Sequence, residues 1–243
     1  MTARMNPATE KPTYFGRDLE AMSHARNYHA WIVEMFRPYL GAHAADVGAG
    51  AGSVAELLVR HVRRLTAFEP SGNMFPLLKT RFADNPAVEC RNSALSAEPG
   101  CADRFDSVLY VNVLEHIEDE SGELESAAAA LRPGGHLLVF VPALPFLYSK
   151  LDRTLGHVRR YRRRPLVELV QRSGFQVEKV NYVDCAGILP WYLVFVLMKR
   201  TMTRGEVSLY DRLGIPVVRR VETLVRPPLG KNLLVVARKP QCH

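Results

Sequence analysis

Short apolar runs alternate with amphipathic segments along most of this 243-residue chain, and that alternation constrains the fold more than any other feature. HAADVGA, LTAFEP, AVECR, FDSVLYVN, HLLVFVP, FQVEKVNYV and NLLVVARK read as strands. Between them, GSVAELLVRHVRR, GNMFPLLKTRFA, EDESGELESAAAALRPGG and RPLVELVQRSGF read as helices. The last of these has Pro165 in its first turn and Gly174 at its end. Strands this apolar, separated by helices, need cover on both faces. They specify an α/β fold, a seven-stranded and mostly parallel sheet with helices on either side. A helix precedes the first strand, with Tyr28, Trp31, Ile32, Met35 and Phe36 at helical spacing, and Pro38 and Gly41 end it.

The pattern places residues 1–17 in a mobile N-terminus and residues 18–243 in one domain. Residues 186–230 separate the last two strands by far more than an ordinary connection and read as a helical insertion, a lid or a dimer contact. Its apolar stretch, Ala186 to Met198, is shorter than the roughly 18–20 residues that span a bilayer as a helix. No secretory signal opens the chain. Cys90, Cys101, Cys185 and Cys242 lack the spacing of a zinc or redox site, which fits a reduced cytoplasmic protein without a metal. The net charge of +7 permits an anionic partner but does not require one.

The first strand ends in DVGAGAGSV, with Asp46 ahead of Gly48, Gly50 and Gly52. A dinucleotide loop G-x-G-x-x-G would need its third glycine at the position held by Ser53. Asp46 would repel a pyrophosphate but suits a cation, and the methionyl part of S-adenosylmethionine carries an ammonium and a sulfonium. Glu69-Pro70 ends the second strand, where a carboxylate can hold ribose hydroxyls.

With these stretches, NYHAWIVEMFRPYLG, FEPSGNM, VNVLEHIEDE, LRPGGHLLVFVPA and LYSKLDRTLGHVRRYRR, the chain resembles the class I S-adenosylmethionine-dependent methyltransferases. It is most similar to a bacterial small-molecule group with the LDxxxGHxRRY segment. The resemblance implies a Rossmann-like sheet, S-adenosylmethionine as cofactor and S-adenosylhomocysteine as product. By position, it implies that Gly48, Ala49 and Gly50 line the methionine and ribose, that Glu69 holds the ribose, and that Pro70 and Met74 lie near the adenine. Asn112 and Val113 would face the methionyl end. Ser93 and Ala94 occupy the place where an aspartate often meets the adenine amine, a departure from the pattern. Tyr28 and Trp31 lie on a helix that often covers the cofactor; packing is the competing reading for both.

Methyl transfer needs alignment, and a hydroxyl or ammonium acceptor must also lose a proton. His116, after the fourth strand, is the leading base candidate; packing beneath the cofactor is its competing role. Tyr148, Asp152, His157, Arg160 and Tyr161 follow the fifth strand at the same sheet edge. Tyr148 and His157 are candidates to touch or deprotonate the acceptor, with Arg160 and Tyr161 binding it, whereas Arg162, Arg163 and Arg164 read as solvent-facing. The expected reaction is O- or N-methylation of a small molecule. Base methylation in nucleic acid is disfavoured, because NVLEH replaces the Asn/Asp-Pro-Pro-aromatic run such enzymes carry. A lipid or lipid-linked acceptor, with peripheral membrane contact, is one alternative; a cofactor-binding protein without transfer is another. A homodimer is compatible with the sequence.

Overall fold

In the computed structural model, residues 25–98, 100–200 and 204–241 are described. The N-terminal segment 1–17 and Cys242 lie outside them. The seven strands are β1 (His43–Val47), β2 (Arg64–Phe68), β3 (Val88–Arg91), β4 (Phe105–Val111), β5 (Leu131–Pro142), β6 (Gln176–Val183) and β7 (Asn232–Arg238). They form one sheet in the order β3-β2-β1-β4-β5-β7-β6. The pairs β1–β2, β2–β3, β1–β4 and β4–β5 are parallel, whereas β7 runs antiparallel to both β5 and β6.

The helices are α1 (Arg26–Phe36), α2 (Ala55–Leu58), α3 (Phe75–Arg81), α4 (Glu120–Ala130), α5 (Lys150–Thr154), α6 (Arg163–Arg172), α7 (Ile188–Trp191), α8 (Arg204–Leu209) and α9 (Ile215–Leu224). Helix α7 runs directly into a π-helical stretch, Tyr192–Leu197, and a second such stretch, Tyr210–Gly214, joins α8 to α9. Alternation along the strands sends side chains to two cores. On β7, Leu233, Val235 and Ala237 join the core under α4 and α6, and Leu234 and Val236 join the one under α1.

Two elements depart from the sequence expectation. GSVAELLVRHVRR yields only the short α2, because Gly52 sits at φ +86° where the first turn of a longer helix would be. The Pro-Gly-Gly of LRPGGH does not end a helix in a free turn. It is absorbed into β5 as an irregularity, with Phe105 opposite Leu131 but Ser107 opposite His136.

The insertion is docked at both ends. The Asp184 carboxylate, at 0% exposure, accepts from Gly187 N (3.0 Å) and Tyr210 Oη (2.6 Å) and pairs with Lys231 Nζ (2.8 Å). Asp211 reaches α1, whose N-cap Ala25 offers no side-chain acceptor. Its carboxylate accepts from the backbone amides of Asn27 (3.1 Å) and Tyr28 (2.8 Å). That satisfies amide donors a helix start leaves open and places an acid at the positive end of its dipole. Gly230 then lets the chain enter β7 against β6: a Cβ there would stand 2.5 Å from Val183 O and 2.6 Å from Val183 N. These backbone atoms cannot withdraw without disturbing the Val183–Asn232 pairing. Gly230→Ala is expected to destabilise the fold by about 1–3 kcal/mol. Scanning calorimetry should show a melting temperature lower by on the order of 5 °C; an unchanged value would mean that the contact relaxes freely.

Candidate active site

Chain order runs outward from β1 to β3 on one side and from β4 onward on the other. The carboxyl ends of β1 and β4 therefore meet at the topological switch point, where open α/β sheets bind ligands. A cavity of about 380 Å³ opens there. Its wall combines the loop after β1, Asn112 after β4, His116, His157 and Arg160, and residues of α1 and the insertion.

Asp46 forms the polar floor. It is 2% exposed and its Oδ2 has no hydrogen-bond partner. Burial, with Glu69 nearby, raises its pKa to about 7. Such an orphaned carboxylate fits a cationic ligand. Gly48 and Gly50 have φ of +69° and +56°. A Cβ on Gly48 would strike Val113 Cγ2 at 2.7 Å, while Gly50 faces open space, so the backbone is bare to whatever enters. Asn112 also takes a left-handed φ of +54°, which turns the chain sharply out of β4 into the cavity. Ala49 and Met74 complete this end.

Glu69 is engaged by its own neighbours. Its carboxylate accepts from Gly50 N (2.7 Å), Ser71 N (2.8 Å) and Ser71 Oγ, which fixes the glycine loop to the end of β2. Neither Glu69 nor Pro70 is part of the wall. Val113 backs Gly48 from behind. Ser93 and Ala94 also lie off the wall, where Ser93 Oγ donates to Glu98 (2.6 Å). Asn92 Nδ2 donates to Glu69 O (2.8 Å) and ties β3 to β2.

The segment after β5 is organised by one buried carboxylate. Asp152 Oδ2 accepts from Ser149 N and Ser149 Oγ, both at 2.8 Å, and closes a capping box on α5. Oδ1 meets Arg160 Nε (2.8 Å) and His157 Nδ1 (3.0 Å). Burial alone would raise the pKa of Asp152; the His157 and Arg160 contacts outweigh it and hold the group below its usual range. With Nδ1 of His157 committed, Nε2 is its remaining proton acceptor. The His116 ring lies edge-on to it, centroids 4.8 Å apart, with Nδ1 3.3 Å from Gly156 O. Burial and His157 lower the His116 pKa to about 4. Glu115, with Oε1 4.0 Å from His157 Nε2, is 0% exposed, and burial raises its pKa to about 8. Glu115, His116 and His157 bring one ligand-type atom each within 4.8 Å of one another. A metal there would first have to displace the Glu115 proton, beside the Arg160 cation.

Three residues expected to touch the acceptor are engaged elsewhere. Trp31 packs at 4% exposure in the core beneath α1. Tyr161 turns inward and donates to Glu120 Oε2 (2.7 Å). Tyr148 donates to His157 O (2.7 Å), and neither tyrosine joins the wall. Arg162, Arg163 and Arg164 are exposed, and Arg164 pairs only with Glu168, one helical turn on. The residues missed in the sequence come from the insertion and its flanks: Trp191, Phe195, Tyr210, Lys231 and Asn232. Trp191 stacks on the Arg160 guanidinium (4.7 Å to the ring centroid) and lies 5.2 Å from Lys231 Nζ. The apolar stretch Ala186 to Met198 was the sequence signal for Trp191 and Phe195.

A family model for the methyltransferase domain matches residues 17–180. The chain belongs to the class I S-adenosylmethionine-dependent methyltransferases. Among curated relatives of this chain, the ubiquinone biosynthesis O-methyltransferase of Methylocella silvestris is 36% identical over 110 residues, covering 44% of this chain and 42% of the relative. The chain spans about two fifths of the length of the curated relatives it matches first. Haemonchus contortus phosphoethanolamine N-methyltransferase 2, solved with S-adenosylmethionine, superposes with a TM-score of 0.63 at 16% identity, covering 92% of this chain and 57% of that one. Burkholderia thailandensis 1,6-didemethyltoxoflavin-N1-methyltransferase, with its substrate and S-adenosylhomocysteine bound, gives 0.57 at 19%, covering 93% and 83%. At such identities these two likenesses concern the fold.

The Asp46 carboxylate carries a testable signature. Its raised pKa means that ligand-free protein holds a proton there below pH about 7, and a cation must displace it. Cofactor affinity, measured by calorimetry, should be roughly tenfold weaker at pH 6 than at pH 8. Asp46→Asn should bind weakly at both and lose most of that difference; an unchanged pH profile would remove Asp46 from the site.

Proposed function

We propose that this protein transfers a methyl group from S-adenosylmethionine to a hydroxyl of a small, largely apolar acceptor. The observation that carries the reading is the single cavity whose wall holds an unpartnered buried carboxylate on bare glycine backbone together with the Asp152-linked His157. Asp46, Gly48, Ala49, Gly50, Met74 and Asn112 would hold the cofactor, with Tyr28 over it from α1. When bound, S-adenosylmethionine supplies an electrophilic methyl on a sulfonium. The walls contributed by Trp191, Phe195 and Tyr210 favour an aromatic or otherwise apolar acceptor body. An O-methyltransferase among the relatives agrees with a hydroxyl as acceptor atom.

His157 is the proposed general base. Asp152 positions it by accepting its Nδ1–H and would stabilise the imidazolium formed when Nε2 takes the acceptor proton. His116, with a pKa of about 4, is too weak a base to lead at neutral pH and instead shapes the wall beside it. Arg160 is a less accessible acceptor ligand than the sequence suggested. It is bound to Asp152 and Ala143 O (3.2 Å) and covered by Trp191, so it serves as a brace for the dyad.

The test is S-adenosylhomocysteine release across a panel of hydroxylated aromatic acceptors. His157→Ala should lower kcat by about 10²–10⁴ with cofactor affinity retained. Asp152→Asn should lower kcat and shift its pH profile, and His116→Ala should cost much less. Loss in His116→Ala with full turnover in His157→Ala would transfer the base role to His116. No turnover on any hydroxyl, with transfer to amines, would overturn O-methylation.

A further inference from the structure

The insertion has a second face, pointing away from the cavity, that neither cofactor nor acceptor uses. Along α7 and its π-helical continuation, Trp191, Val194 and Phe195 line the cavity, while Leu189, Leu193 and Leu197 stand exposed at four-residue spacing. The same division recurs from α8 to α9. Tyr210, Asp211, Ile215 and Val218 face inward, and Leu209, Leu213, Val217 and Val221 form an exposed stripe, again four residues apart. Leu224 continues it at 86% exposure. Most of the large apolar side chains exposed among the described residues fall in this one segment. Isolated exposed leucines need no explanation, but two parallel patterns of this kind on one segment mark a contact surface.

Charge identifies the partner. Lys199, Arg212, Arg219, Arg220 and Arg226 are exposed around the stripes. Among the described side chains of residues 186–230, both acids are turned inward. Asp211 is bonded to the start of α1, and Glu222 accepts from the backbone amides of Asp184 (3.1 Å) and Cys185 (2.8 Å). Apolar stripes edged by cations, with no exposed acid among the described side chains of the segment, complement an anionic lipid surface. A two-fold contact with a second copy would instead bring like charges together. No helix among the described residues is long and apolar enough to cross a membrane. We propose that this face of the insertion lies on an anionic bilayer surface, with Leu197, Leu213 and Val217 immersed at the acyl boundary and the arginines at the phosphates. The proposal stands apart from the methyl-transfer reading.

The experiment is co-sedimentation of the full chain with phosphatidylcholine vesicles and with vesicles containing roughly a third phosphatidylglycerol. Preferential binding to the anionic vesicles, weakened by salt, is expected. Arg219→Glu with Arg220→Glu should reduce it roughly tenfold or more. Leu197→Asp with Leu213→Asp and Val217→Asp should abolish it, while S-adenosylhomocysteine affinity and melting temperature report an intact fold. Equal recovery in the supernatant with either vesicle overturns the proposal. So does concentration-dependent dimerisation in sedimentation velocity that the aspartate variants abolish, which would give the face to a second copy.

Discussion

The buried ion pair between Asp184 and Lys231 is the contact on which the cavity depends. Asp184 closes β6 and Lys231 opens onto β7, so the pair spans the mouth of the insertion and fixes both of its ends to the sheet. Two charges removed from water need several compensating contacts. Here Gly187 N and Tyr210 Oη supply donors to the same carboxylate, and the rings of Tyr28, Trp191 and Tyr210 surround the ammonium at 5.2–5.7 Å. Because those rings come from α1 and from both halves of the insertion, one electrostatic knot holds three sides of the cavity in register.

A second knot, at Asp152, gives the arginine-rich segment its meaning. Four donors converge on one carboxylate at 0% exposure, and the residues of LDRTLGHVRRY divide according to which of them reach it. His157 and Arg160 do. Arg159 and Tyr161 instead engage Glu120 at the start of α4, and the arginines that follow are exposed, Arg164 paired with Glu168. Part of the run is therefore an internal clamp between the β5 loop and α4, while Arg162, Arg163 and Arg164 stay at the surface.

The sheet was legible because its information is local. Strands buried on both faces are apolar throughout, and each short strand carries its own turn signal. Asp46 and the glycines were legible for the same reason: a carboxylate and backbone freedom at one strand end define a site without reference to distant residues. What escaped depends on partners far along the chain. Nothing near Tyr161 indicates that Glu120, 41 positions away, will take its hydroxyl, and nothing near Asp211 indicates that it will begin a helix 183 positions earlier. For Glu69 the ambiguity is of another kind. A carboxylate able to receive ribose hydroxyls is equally able to receive the amide of its own glycine loop, and composition does not separate the two.

The reversed direction of β7 has a consequence for how such a chain can diversify. A parallel final strand would oblige its connection to cross the whole depth of the sheet before pairing. With β7 antiparallel to β6, the chain leaves and re-enters at the same rim, which a tight hairpin would suffice to bridge. The length between Asp184 and Lys231 is thus free of any topological duty. It can grow, shorten or be exchanged at a fixed pair of anchor points without rethreading the core, and the entropic penalty rises only slowly with length. The fold keeps the rim that carries the cavity constant and leaves one graftable segment between two fixed anchors.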